Sequence, residues 1–118
     1  MNIKSASQQL DISADTIRYY ERIGLVPPIT RTASGIRDFQ EEDLAALEFV
    51  KCFRAAGVSV ESLIDYMTLF PQGEETREAR LSILLEEREK MAERLEDLQA
   101  ALDRLDGKIQ AYKEGKIK

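Results

Sequence analysis

A chain of 118 residues with 33% charged and only 7% aromatic side chains, and no tryptophan, lacks the bulky apolar material for a large compact core; one small domain with a helical extension that packs on a partner fits better. The absence of histidine removes the commonest metal ligand and the commonest general base, and a lone cysteine excludes an internal disulfide framework, which suits a reducing cytoplasm. The formal charge of −5 argues at first sight against nucleic acid, but residues 1–40 hold five Lys/Arg against four Asp/Glu while the remaining 78 hold 12 against 18, and local potential governs phosphate binding. The first apolar run is broken at Lys4 and Gln8, unlike a signal peptide, and no window approaches the roughly 18 apolar residues of a membrane span.

Residues 3 to 10 predict a short helix with Ile3, Ala6 and Leu10 inward and Asn2 or Ser5 as its cap. Asp11-Ile12-Ser13 reads as a turn, because aspartate tolerates the left-handed conformation. A second helix follows from Ser13 to Gly24: Ser13 is a good N-cap, Asp15 suits the positive end of the dipole, and Gly24 closes the C-terminus. Ile17, Tyr20 and Ile23 make its apolar side, while Thr16, Arg18, Tyr19 and Arg22 spread over the rest. Helix, tight turn and helix with Ile12 buried between them is a helix-turn-helix, and cations with aromatic hydroxyls on the open side suit a polyanion.

Pro27 and Pro28 end the helical region, and Ser34-Gly35 between short extended arms predicts a β-hairpin with Arg31 and Arg37 flanking its tip. Thr16-Ile-Arg-Tyr-Tyr-Glu-Arg-Ile-Gly-Leu25 resembles the recognition helix of the MerR family of bacterial transcription regulators, and Arg31-Thr-Ala-Ser-Gly35-Ile-Arg37-Asp-Phe39 is similar to that family's wing. The resemblance implies base or adjacent phosphate contacts from Arg18 and Tyr19, supported by Thr16 and Tyr20, with Arg31, Gly35 and Arg37 gripping the backbone. Two departures stand out: the family often has glycine at Asp11 and usually tyrosine at Phe39, so a hydrogen bond from the latter position is lost while its packing role survives.

A third helix is expected from about Glu41 to Ala56, with Leu44, Leu47, Val50 and Phe53 inward, and a fourth after Gly57, capped by Ser59, with Leu63, Ile64, Met67 and Leu69 as its apolar face. Pro71-Gln72-Gly73 is a break. From about Thr76 the pattern becomes a heptad: Leu81, Leu84, Arg88, Met91, Leu95, Leu98, Leu102, Leu105, Ile109 and Tyr112 follow alternating steps of three and four. Such a seam requires a partner strand. Arg88 within it is either a register device or a side chain that snorkels outward, Gly107 should weaken the last turns, and residues 114–118 should fray. The resemblance implies an antiparallel homodimer.

Cys52 falls at the edge of the third helix's apolar stripe. Two readings stay open: a small buried hydrophobe, or a thiolate favoured by Lys51 and Arg54 and opposed by Glu48. The metal-sensing cysteines and the C-terminal ligand domain of other MerR branches have no counterpart here, so the chain resembles the short single-cysteine branch (NmlR- and AdhR-like) linked to aldehyde, nitrosative or thiol stress, with Cys52 as sensor.

The expected protein is all-α with a small β-hairpin wing: a winged helix-turn-helix head over 1–70 and a coiled-coil dimerisation helix with tail over 74–118. It is expected to be a cytoplasmic homodimer binding double-stranded promoter DNA, with RNA polymerase as a partner by resemblance, and without cofactor, metal, membrane association or catalysis. The rivals are a coiled-coil adaptor with a vestigial head, a regulator without thiol sensing, and a thiol-dependent enzyme using Cys52, the last weakened by the lack of a catalytic triad or phosphate loop.

Overall fold

The computed structural model describes residues 1–117, in the order α1 (Ile3–Leu10), α2 (Ala14–Ile23), α3 (Glu41–Ala55), α4 (Val60–Leu69), a 3-10 segment (Phe70–Thr76) and α5 (Arg77–Lys113). It divides into a compact unit ending at Leu84 and a second unit beginning at Leu85.

The helix ends follow from local chemistry. Asn2, not Ser5, caps α1, its side-chain oxygen accepting the Ser5 N–H at 2.8 Å, and Ser13 does the same for α2 through the Thr16 N–H at 3.1 Å. Between these helices Asp11 takes the left-handed conformation (φ 54°, ψ 47°), which reverses the chain within three residues and buries Ile12. The Leu25 N–H reaches back to the Tyr20 carbonyl at 2.9 Å around Gly24 (φ 82°), closing α2 and turning Leu25 and Val26 into the core. At α3 the Asp43 carboxylate accepts the Gln40 N–H at 2.8 Å, and Glu41, Glu42 and Asp43 face the positive end of the dipole. Ser59 caps α4.

The core of the first unit gathers Ala6 of α1, Ile17 of α2 and Leu47 and Val50 of α3, all fully buried, with Leu25, Val26, Ile29, Phe39, Val58, Leu63 and Met67 around them. Leu44, Phe53, Ile64 and Leu69, expected inward, are half-buried. Phe49 of α3 stacks on Tyr66 of α4 with centroids 5.3 Å apart, inside the range where aromatic pairs attract. Lys51 at the far end of α3 donates from Nζ to the Leu10 carbonyl at 2.6 Å, satisfying the C-terminal end of α1.

After α4 the expected break is a 3-10 segment with Gly73 in a conformation open to glycine (φ 79°, ψ −148°). The Thr76 hydroxyl lies 2.8 Å from the Leu69 carbonyl and 3.0 Å from that of Gly73, while Arg80 donates to Gly73 at 3.0 Å and its guanidinium sits 5.3 Å from the Phe70 ring centroid. α5 then runs for 37 residues, roughly 55 Å at about 1.5 Å per residue, straight through Gly107 to Lys113. Its apolar seam is uncovered, with Leu95, Leu98 and Leu105 exposed by 67%, 69% and 60%. The carboxylates of Glu87, the buried residue of this helix, and of Glu86 push the Lys90 pKa above the ordinary lysine value. The expected fraying includes Lys118, which lies outside the described residues. Among the described residues no helix is long and apolar enough to cross a membrane.

One expectation is corrected. Residues 31–37 form no strand ladder; they meet in an isolated antiparallel bridge between Arg31 and Arg37, with N–H···O bonds from Thr32 to Ile36 at 2.8 Å and from Asp38 to Thr30 at 2.7 Å. The arms are too short for more: Pro27 and Pro28 offer no N–H on one side, and the other passes directly into the α3 cap at Gln40.

Because Leu47 is wholly enclosed, Leu47→Ala should lower the unfolding free energy by about 2–5 kcal/mol, read from urea denaturation followed by circular dichroism.

Candidate nucleic-acid interface

Successive side chains on α2 turn by about 100°, so burial of Ile17 sets the direction of every other residue. Asp15, Arg18, Tyr19 and Arg22 form one exposed row, whereas Tyr20 and Glu21 lie toward the Ile17 side and are partly enclosed. Arg18 donates to the Asp15 carboxylate at 3.0 Å, and with Asp15 98% exposed the solvent screens this pair and leaves the guanidinium available to a stronger anion. The Arg22 guanidinium lies 5.4 Å from the Tyr19 ring centroid and steadies that ring on the surface. Thr16 is half-buried, and its hydroxyl receives a bond from the Ser13 hydroxyl at 2.8 Å within the cap. The sequence reading leaves Arg22 off the contact set although it shares the exposed row; spacing of i, i+3, i+4 and i+7 from Asp15 is the signal that finds it.

The bridge segment lies beside this helix through one carboxylate. Glu21 Oε1 accepts from Arg37 Nε at 2.9 Å and lies 2.9 Å from Arg37 Nη2 and 3.4 Å from Arg31 Nη2, while Oε2 accepts the Ile29 N–H. Arg31 also donates through Nη1 to the Gly35 carbonyl at 3.0 Å, and Gly35 turns the tip at φ 86°. Ile36 projects from that tip, 64% exposed. Both wing arginines therefore face a carboxylate to which the sequence reading gives no role. A charge one turn after the fully buried Ile17 is itself the signal, since an acid on an inward face requires a partner.

Cys52 is exposed on α3, so the small-buried-hydrophobe reading does not describe it. The cations expected to favour its thiolate are engaged elsewhere, Lys51 on the Leu10 carbonyl and Arg54 on the Val58 carbonyl at 2.8 Å. On α5, Leu81, Leu84, Arg88, Leu95, Leu98, Leu102, Leu105, Ile109 and Tyr112 are exposed and Met91 is half-buried; Leu85, outside the heptad series, is exposed by 57%. Among the described residues no group of three or more His, Cys, Asp or Glu is placed to hold a metal ion.

Two family descriptions match the chain: a MerR helix-turn-helix regulatory protein over residues 1–69 and a MerR DNA-binding region over 44–108. The chain is 53% identical to the transcriptional regulator AdhR of Bacillus subtilis over 93 residues, covering 79% of this chain and 66% of AdhR, just under two thirds of that protein. A solved MerR-family transcriptional regulator from Listeria monocytogenes superposes with a TM-score of 0.93 at 53% identity, covering 96% of this chain and 86% of its own. HiNmlR, a MerR-family regulator that lacks the sensor domain and was solved bound to promoter DNA, superposes with a TM-score of 0.86 at 29% identity, covering 98% and 91% of the two chains. With a family match across 1–69, a second across 44–108 and both structures agreeing over nearly the whole length, the chain belongs to the MerR family of helix-turn-helix regulatory proteins.

Proposed function

We propose that this protein is a cytoplasmic, DNA-binding transcriptional regulator that acts as a homodimer on a pseudo-palindromic promoter. The observation that carries the reading is the exposed row Asp15, Arg18, Tyr19 and Arg22 on the second helix of a helix-turn-helix, with two arginines of a tight loop tied to the same helix. Residues 1–70 serve as the DNA-binding head. α2 enters the major groove, where Arg18 and Tyr19 meet base edges or the adjoining phosphates with Thr16 and Tyr20 in support. Residues 31–37 act as a compact wing, Arg31, Gly35 and Arg37 holding the backbone and positioning without specifying. The relative HiNmlR, solved bound to promoter DNA, supports DNA binding by this head.

Residues 74–118 serve as the dimerisation element, the leucine seam of α5 pairing with a second copy. Its exposed leucines support this, because an apolar face of that length left in water favours association. Two heads related by a twofold read two half-sites. The dimer acts by bending and untwisting an overlong promoter spacer so that RNA polymerase engages both elements; such distortion costs about 1–6 kcal/mol, so a small shift between heads is enough to switch transcription. Cys52 senses electrophiles such as aldehydes, or nitrosative or thiol-oxidative stress, through its exposed thiol, and the similarity to AdhR supports that branch of the family.

Each element has its own measurement. Arg31→Ala should weaken binding to all operator variants alike and flatten the log affinity–log salt slope by about 0.9 per phosphate no longer neutralised. Arg18→Ala should instead relax discrimination between operator variants by about 1–3 kcal/mol at the affected base pair, read by competitive mobility shift with the gene's own upstream region. Leu98→Glu should convert the dimer to monomer in sedimentation velocity and abolish the shifted band; a shift retained by a monomer would contradict the paired-head model. Cys52→Ala should leave operator affinity intact while abolishing the promoter's response to an aldehyde or oxidant.

A further inference from the structure

The Glu21 carboxylate lies against both arginines of the wing. It is 12% exposed, sits on the same helix as the exposed row of Arg18, Tyr19 and Arg22, and receives both guanidinium groups of the wing together with the Ile29 N–H at the wing's entrance. Of the two arginines, Arg37 is the more enclosed at 24% exposure and makes the closer contact, whereas Arg31 is 44% exposed and stands 3.4 Å away. Beside Glu21, the wing is held by one antiparallel bridge, a turn from Thr32 to Gly35, the Asp38 N–H on the Thr30 carbonyl at 2.7 Å, and the N-terminal ammonium on Asp38 at 3.0 Å.

We propose that Glu21 is a positioning residue with a second consequence: it sets the wing against the recognition helix, and it competes with DNA phosphates for Arg31 and Arg37, restraining binding to sequences that do not seat α2. The inference rests on the DNA-binding reading above. A carboxylate and a phosphate oxygen are alternative acceptors for the same guanidinium fork. In the free protein the pairing with Glu21 offsets one of the two positive charges of Arg31 and Arg37. A cognate duplex brings base contacts along α2 that offset the cost of exchanging one anion for another, and a non-cognate duplex offers only the exchange. The partly exposed Arg31 trades first, because its contact is longer and its desolvation smaller, while Arg37 keeps the wing in register.

The test compares wild type with E21Q in the full chain, measuring affinity across a salt series for a duplex of the gene's own upstream region and for a scrambled duplex of the same composition. Glutamine keeps an oxygen for the Ile29 N–H and removes the charge. E21Q should bind the scrambled duplex severalfold more tightly, with a salt slope steeper by about 0.9 for each additional phosphate neutralised, and the ratio between the duplexes should fall. A parallel loss of affinity on both duplexes with an unchanged slope would reduce Glu21 to a packing role and overturn the proposal. A measurement on wild type alone covers the case in which E21Q fails to fold. The side-chain Nε–H of Arg37 and the guanidinium signals of Arg31 should be protected in the free protein, and those of Arg31 should shift on saturation with the upstream duplex; signals unmoved in the complex would overturn the exchange. Wild type that binds neither duplex would end the DNA-binding reading itself, whereas wild type that binds with E21Q unchanged would end this proposal alone.

Discussion

Ile17 has no exposed surface, and at 3.6 residues per turn that fact sets the rotation of the whole of α2. The row opposite it must face outward, which is why Arg18, Tyr19 and Arg22 share the surface with Asp15. The neighbours of Ile17 face inward by the same arithmetic, which brings Glu21 to the wing. The surroundings enforce this rotation: Asp11 in the left-handed region gives a turn short enough to bury Ile12, and the Leu25 N–H bond to Tyr20 turns the following residues back into the core. A two-residue slip in that turn would rotate the cationic row into apolar packing.

Electrostatics then divides the arginines into classes that composition does not distinguish. Arg18 pairs with a fully hydrated Asp15, an arrangement that water and salt weaken, so its guanidinium stays accessible. Arg37 pairs with the nearly buried Glu21, where the local dielectric strengthens the contact and removal of one partner leaves the other desolvated. Arg54 and the lysine at position 51 form a further class: the lysine satisfies the carbonyl at the end of α1 and Arg54 the Val58 carbonyl in the loop between α3 and α4, so both belong to the architecture of the head. These commitments also alter the setting of Cys52, an exposed thiol whose flanking cations are engaged elsewhere.

α5 obeys a different logic. The head buries its apolar residues against one another, whereas α5 presents a leucine seam to solvent along most of its length and keeps its carboxylates and lysines for the remaining faces. A helix of this kind gains most of its stability from packing of its apolar face rather than from its own hydrogen bonds. Gly107 near its end does not interrupt the hydrogen-bonded ladder, since a single glycine costs only about 1 kcal/mol against the many bonds around it.

Much of this molecule was legible one residue at a time. Ser13, Ser59 and Gly24 mark helix ends because capping is a local hydrogen bond or a local φ, and the periodicities of α2, α3 and α5 report which faces are apolar. The recognition-helix and wing segments carried the family on their own residues. What remained hidden were contacts between positions far apart in the chain. Glu21 meets Arg31 and Arg37 across 10 and 16 residues, and Lys51 meets Leu10 across 41. No periodicity encodes such pairings, because they depend on where two separately formed elements come to rest. The wing is the same case: Ser34-Gly35 signals a turn, but the length of its arms was decided by prolines on one side and the α3 cap on the other. The sequence by itself determined the helices, their faces and their ends, which are properties of neighbouring residues; only the packed chain decided which charges are held in the fold and which are left free to bind, because that depends on distance and desolvation in three dimensions.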